Sequence, residues 1–402
     1  MLELLFALAL GIVLGVVCGI LPGLHPNNTI PFVLGFSFLF EPVQAAIILI
    51  AAGVSNSFVN FIPSIFVGAP DAGSELSALP GHRMMMQGRG FEAVRLTVIG
   101  GLGAVFLSIL LLPVFSFVFP LLYRLMRPVL HWILLAVVFY MVVGEEGTKG
   151  KMLAVYVLLV SGLLGYLLLD VLSIRDPLLP MLSGLFGLPM LLLSVKDKVR
   201  LPEGMSFGYE SIGRKAILSS VSVGSIAGML AGLLPGVGSS QATVIAQEAV
   251  GEKSDKKFLM AIGGVAVSDV IYSVLALYLL GNARSGIAVA VGNLMAVGLD
   301  QVLLFLSVIV ASAGIGAYLT LRLTKTAVAF LRRTNYSKLC LLAFASMIGM
   351  IYFFSDLTGV AIALVALSIG LIPNVAGIKR SHCMGCLIIP TIIFFAAASA
   401  SI

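Results

Sequence analysis

Apolar runs of membrane length alternate along this chain with short polar interruptions. The first run, about residues 4 to 21, places Gly11, Gly15 and Gly19 at every fourth position, the small-xxx-small spacing that lets helices approach closely in lipid. It ends at Pro22-Gly23, where proline removes a backbone donor and glycine admits non-helical angles. His25, Asn27, Asn28 and Thr29 follow before apolar character resumes to Phe40. The pattern predicts a broken helical hairpin over residues 4 to 40 that enters and leaves on one side, with irregular backbone tolerated because it lines a protein-enclosed cavity. Further crossings are predicted at about 43–62, 96–119, 129–143, 152–169 and 178–194, with a polar Gly/Pro-rich loop from Gly68 to Gly90.

The same pattern then recurs. Gly11, Gly15, Gly19, Leu21, Pro22 and Gly23 lie 213 residues before Gly224, Gly228, Gly232, Leu234, Pro235 and Gly236, without a gap. At that offset Ser55-Asn56 meets Ser268-Asp269, Gly68 meets Gly281 and Gly103 meets Gly316. The second copy predicts a hairpin at about 216–250, a crossing at 258–280, a polar break around Asn282 to Asn293, and crossings at about 300–321, 339–354, 358–373 and 383–400. About five crossings per copy is an odd number, which turns the second copy upside down. The expected fold is therefore an all-α integral membrane protein of two inverted-topology repeats, each a Pro/Gly-broken helical hairpin plus about five transmembrane crossings. Residues 1–195 form repeat 1, 196–215 a cytoplasmic basic linker and 216–402 repeat 2.

Charge sets the expected orientation. With the linker inside, only Arg124, Arg127, Arg175 and Arg284 of the 24 Lys and Arg residues fall outside, so Lys379 and Arg380 count among the cytoplasmic loop charges. The 402 residues are 60% hydrophobic and 10% charged, with a mean hydropathy of +1.13, which excludes a soluble domain of ordinary composition. The N-terminus lacks a basic n-region and runs straight into the repeated motif, so it is read as part of the fold. The net charge of +6 fits loop lysines and arginines better than a nucleic-acid partner. Cys18, Cys340, Cys383 and Cys386 lie in or beside apolar segments, and Cys383-x-x-Cys386 next to His382 lacks the second ligand pair of a zinc site. It is read as structural.

The paired breaks carry the candidate chemistry. A helix restarting after each break would aim exposed N–H groups and a positive dipole end into a cavity, a suitable cradle for an anion. The substrate-binding candidates are Gly23, His25, Asn27, Asn28 and Thr29 in the first break, and Gly236, Ser239, Ser240, Gln241 and Thr243 in the second. Asp269 lies mid-segment, where a carboxylate costs on the order of 2.5–3.5 kcal/mol on insertion scales, so it points to ion or proton coupling. A tilted segment that leaves it near an interface is the alternative. The ion-coupling candidates are Ser55, Asn56, Ser57, Ser268, Asp269 and Ser273, oxygens suited to a hard cation or, at Asp269, to a proton. His25 could serve proton coupling equally well as a satisfied polar turn. Asp71, Glu75, His82 and Arg83 read as a solvated loop, and Asp170, Arg175 and Asp176 as loop charges. No GxxxxGK[ST], GxSxG or HExxH occurs, so no enzyme is expected, and no cofactor beyond a coupling proton or sodium ion.

The doubled motif, CGILPGLHPNNT and AGLLPGVGSSQAT, resembles the large permease subunit of the tripartite tricarboxylate transporters, the TctA-like family. The closing GLIPNVAGIKRSHCMGCLIIP is similar to the shorter, archaeal-type branch. The resemblance implies a cell-membrane, multi-pass permease for tricarboxylates or other small organic anions, coupled to a proton or sodium gradient. It also implies a small membrane subunit and an extracytoplasmic binding protein as partners, with a homodimer left open. An ion channel, a membrane scaffold or an intramembrane enzyme without transport remain the alternatives.

Overall fold

The structure, a computed structural model, describes residues 2–21, 40–68, 78–172, 177–196, 208, 211–233, 239, 242–244, 246, 254–281, 285–331 and 336–400. The first half supplies α1 (Leu2–Ile20), α2 (Pro42–Val59), α3 (Phe61–Phe66), α4 (Ala78–Met86), α5 (Gly90–Met126), α6 (Leu130–Val143), α7 (Gly147–Tyr166), α8 (Leu178–Leu182) and α9 (Leu188–Lys196). The second supplies α10 (Arg214–Leu233), α11 (Asp255–Leu280), α12 (Gly286–Leu294), α13 (Leu299–Leu331), α14 (Tyr336–Ala376) and α15 (Gly385–Ala400). No strand occurs among the described residues, and nine of their helical segments are long and apolar enough to cross a membrane. Phe106, Phe117 and Phe353 stand exposed on these helices, as side chains facing lipid should. The protein is an all-α multi-pass membrane protein.

Glycines bring the helices together. A Cβ at Gly11 would lie 2.6 Å from Ile48 O, and one at Gly19 2.8 Å from Val59 Cβ, while Gly15 abuts Ala52 and Ser55. In the second half Gly224 abuts Ala261, Gly228 abuts Val265 and Ser268, and Gly232 abuts Tyr272. Every one of these partners is displaced by the same 213 residues as the glycines themselves. Contacts that advance together along both helices mean that α1 runs parallel to α2, and α10 parallel to α11. Gln44 Nε2 donates to Glu3 Oε2 at 3.2 Å, so both helices of the first pair start at one end. Gly68 and Gly281, also 213 apart, both take positive φ, 73° and 59°, which an L side chain adopts only with strain.

The two pairs run in opposite directions. Gly81 and Gly90 rest on Ile65 and Phe66 at the end of α3, while Arg83 from the same short helix pairs with Asp255 at the start of α11, 3.3 Å away. Lys256 pairs with Glu92 on α5 at 3.0 Å. The end of α2–α3 thus lies beside the beginning of α11. The long helices exchange partners between halves: α5 packs on α10 and α11, and α13 packs on α2. A second group, α6–α9 with α14 and α15, again draws on both halves: Gly165 meets the Cys386 carbonyl and Gly370 meets that of Leu185.

Several expectations are corrected. The stretch read as a loop from Gly68 to Gly90 contains α4, because Pro80 sits in its first turn, where no backbone donor is needed, and Met84 and Met85 are buried. His82 and Arg83 are therefore helical rather than loop residues. The polar break around Asn282 to Asn293 contains α12, whose cap Ser285 accepts from Ala288 N at 3.2 Å. Asp170, expected in a loop, falls in a π-helical turn, Leu167–Val171. Arg380, counted among the solvated charges, is 6% exposed. The break expected between crossings at 339–354 and 358–373 falls at Asp356, where φ is 56°.

Candidate functional site

The polar residues of α2 and α11 meet where these antiparallel helices cross. Ser57 Oγ donates to Gly53 O at 2.9 Å and to Ala266 O at 3.3 Å, binding one half to the other through carbonyls that are themselves 213 residues apart. On each helix an i, i+4 polar pair flanks the crossing. Asn60 Nδ2 donates to Asn56 Oδ1 at 3.4 Å, and at the equivalent positions Ser273 Oγ donates to Asp269 Oδ1 at 3.3 Å. Asn56 and Ser273 are buried, whereas Asp269 and Ser57 are half-buried on helices otherwise enclosed by protein. A half-buried carboxylate in an otherwise enclosed helix suits an acid that takes up and releases a cation.

Ser55 and Ser268 turn away from this crossing toward their own glycine helices. Ser268 Oγ lies 3.4 Å from Ser108 Oγ, which lies 3.0 Å from Ser225 Oγ. The buried Tyr272 hydroxyl stands beside Ser108 and Ser225 but outside hydrogen-bond geometry, its ring stacked on Phe119 and edge-on to Phe115. Ser55 is wedged between Gly15 and Gly316. Its Oγ, with Asn56 Nδ2, Asn60 Oδ1 and Ser312 Oγ, is buried without a hydrogen-bond partner among the described residues. Buried polar atoms are nearly always partnered, so these open oxygens and amides are positions where a ligand or a residue outside the described ones could bind. The six ion-coupling candidates thus divide into a crossing cluster (Asn56, Ser57, Asp269, Ser273) and two flanking positions.

Ser108, Ser225, Tyr272 and Ser312 escape the sequence reading. Ser108 and Ser312 are single polar residues in apolar runs, Ser225 is one of several serines at the start of its helix and Tyr272 adjoins Ser273, and no period or offset marks any of the four. Of the substrate-binding candidates, Ser239 and Thr243 are described: Thr243 Oγ1 donates to Ser239 O at 2.7 Å, and Ala242 and Ala246 pack with Ala227, Ala231, Ala261 and Val265. This seats the second break's helical continuation against α10 and α11. Gly23, His25, Asn27, Asn28, Thr29, Gly236, Ser240 and Gln241 lie outside the described residues, as do Asp71, Glu75, Arg175, Asp176 and most of the linker.

At the end where α4 meets α11, Glu92 is held by Arg89 at 2.8 Å and by Lys256 at 3.0 Å. His82 Nδ1 lies 3.1 Å from Ile65 O. Burial pushes His82 below its ordinary pKa, the Ile65 carbonyl partly opposes this, and the Arg380 charge adds a still smaller lowering. In the second group His382 Nε2 lies 2.8 Å from Glu145 Oε1, which also accepts from Lys379 N–H at 2.9 Å. Cys383 and Cys386 are buried here and form no disulfide, and no cluster of three His, Cys, Asp or Glu side chains fit for a metal occurs among the described residues.

Comparison with known proteins agrees in scope with this whole-chain architecture. The family model described as the Tripartite tricarboxylate transporter TctA family matches residues 5–385. An uncharacterized protein of Methanocaldococcus jannaschii is 30% identical over 408 residues, spanning 98% of this chain and 99% of its own. No solved structure matches.

Proposed function

Because this chain belongs to the tripartite tricarboxylate transporter TctA family, we propose that it is a permease that moves a small carboxylate anion across the cell membrane, driven by a proton or sodium gradient. It is a tricarboxylate transporter component rather than an enzyme, and the tripartite organisation of its family implies partner subunits. In our reading these are a small membrane subunit and an extracytoplasmic binding protein, and the two breaks, residues 23–29 and 236–243, hold the anion between inverted repeats.

The crossing of α2 and α11 carries this reading. Two helices related by the 213-residue repeat run antiparallel and meet at their polar segments, the arrangement expected where inverted repeats form a central site. Asp269 is the coupling residue. A carboxylate beside an anion is repulsive until it is protonated or paired with a cation, so filling the ion site makes room for the substrate. Asn56, its equivalent in the first half, is the neutral version of the same pair with its i+4 neighbour.

The test is uptake of labelled citrate and succinate into vesicles containing the purified chain, under imposed proton or sodium gradients. Asp269→Asn should still exchange substrate across the membrane while losing gradient-driven accumulation. Accumulation with unchanged ion dependence in that variant rejects the role of Asp269. Conduction without saturable counterflow would make the protein a channel.

A further inference from the structure

Arg380 opens the 3-10 turn Arg380–Met384 that leads into α15, and it is buried. One guanidinium nitrogen, Nη2, donates to the carbonyl of Phe186. Phe186 lies in the π-helical turn Ser183–Gly187 between α8 and α9, a local irregularity that occurs frequently at functional sites. Among the described residues the Nε–H has no hydrogen-bond partner, nor does the adjacent hydroxyl of Ser381, which is 2% exposed. Two donors therefore sit in the protein interior with none of the described groups to receive them.

The described acids that could have neutralised Arg380 are otherwise engaged. Glu145 Oε1 accepts from His382 and from the Lys379 N–H. Glu92 is held by Arg89 and Lys256, and Asp255 by Arg83. A buried cation without a counter-ion is costly, and fixing one in place makes physical sense when the counter-ion arrives as a ligand. The guanidinium presents parallel N–H donors matched to a carboxylate. Met190 on α9, four residues past Phe186, packs on Gly68 just beyond α3 of the central group, and His82 on α4 feels the Arg380 charge, so the position is the junction between the central group and the second group of helices.

We propose that Arg380 anchors a buried carboxylate-binding site, with Ser381 as a second donor, at the junction of the Phe186 turn and α4. The choice of carboxylate over phosphate rests on the transport reading above. The site itself rests on the two buried donors that have no partner among the described residues. The guanidinium meets one carboxyl group of the anion as it passes, or waits, between the two groups of helices.

Binding to the purified full chain in detergent tests this without reference to transport. The thermal midpoint is measured with citrate, succinate, inorganic phosphate and, for ionic strength, sodium chloride, in wild type, Arg380→Lys and Arg380→Met. Citrate or succinate should raise the wild-type midpoint, Arg380→Lys should need at least tenfold more of either, and Arg380→Met should show no carboxylate-dependent rise. Without ligand, Arg380→Met should unfold at or above the wild-type midpoint, because a buried charge with no counter-ion among the described residues has been replaced by a hydrophobe. A purely structural arginine would give the opposite sign. The proposal is overturned if Arg380→Met keeps the wild-type response, if it is destabilised without ligand, if the wild type responds to neither carboxylate, or if phosphate alone raises the midpoint. Arginine-dependent binding in a chain that moves no anion would reject the transport reading and leave this site standing.

Discussion

Replacing Gly228 by alanine inserts one methyl group where α10 meets the Ser268-Asp269 segment. The new Cβ would stand 2.5 Å from Ser268 Cβ, 2.9 Å from Val265 O and 3.1 Å from Asp269 N. None of these atoms is the movable end of a flexible side chain. Carbon atoms pack best at about 3.5–4.0 Å, so α10 and α11 must separate by about 1 Å. Overpacking of this kind costs about 1–3 kcal/mol, against which alanine returns up to about 1 kcal/mol of helix propensity. Gly314→Ala isolates the second effect, because Gly314 is helical in α13 and a Cβ there meets nothing within 4 Å. Gly228→Ala should therefore unfold below Gly314→Ala by an amount equivalent to about 1–3 kcal/mol, followed by thermal melting of the two variants side by side in one detergent. On the role proposed for Asp269, the proton or sodium concentration needed for uptake into vesicles should rise as Ser268 and Asp269 shift, while Gly314→Ala keeps the wild-type value. Equal melting of the two variants would refute the close approach of α10 to α11.

Two further outcomes concern buried polar groups. His82 has a folded pKa below its ordinary value near 6.5, so the stability of its neutral form is fully present above 6.5 and is lost as pH falls from there toward the lowered folded value. His82→Gln should flatten that part of the stability profile between pH 7 and 5, and an unchanged slope would contradict the burial of this ring. Glu145→Ala removes the acceptor of His382 and of the Lys379 N–H and should destabilise the protein by about 1–3 kcal/mol. His382→Ala in that background should cost less than in wild type, and simple additivity of the two would show that the 2.8 Å pair is not coupled.

Much of this architecture is legible in the sequence because two local signals reach far. Lipid demands internally hydrogen-bonded helices of a set length, so hydropathy marks the crossings even where bounds move by several residues, as with 96–119 against Gly90–Met126. The 213-residue repetition carries more, since it pairs Gly11, Gly15 and Gly19 with Gly224, Gly228 and Gly232, and the same offset relates the atoms against which they pack. It also singles out Asn56 and Asp269, whose neighbours at i+4, Asn60 and Ser273, repeat the same hydrogen bond. Hydropathy passes over α4 and α12, helices of nine residues each, too short to register against their polar surroundings.

Only the tertiary structure decides which faces meet. Ser55 and Asn56, like Ser268 and Asp269, cannot be sorted by sequence order, because adjacent helical residues point about 100° apart. Ser268 turns to Ser108 on α5, while Asp269 beside it keeps to Ser273. Ser108, Ser225 and Tyr272 come from three helices and form one cluster that no single segment announces. Arg380 reads as a loop charge next to Lys379, and its burial against Phe186 follows from the long-range packing of the 3-10 turn onto a helical turn 194 residues earlier. Periodicity reports the environment that a segment needs; the partners that supply it are set by packing between segments far apart in the chain, where sequence distance carries no information.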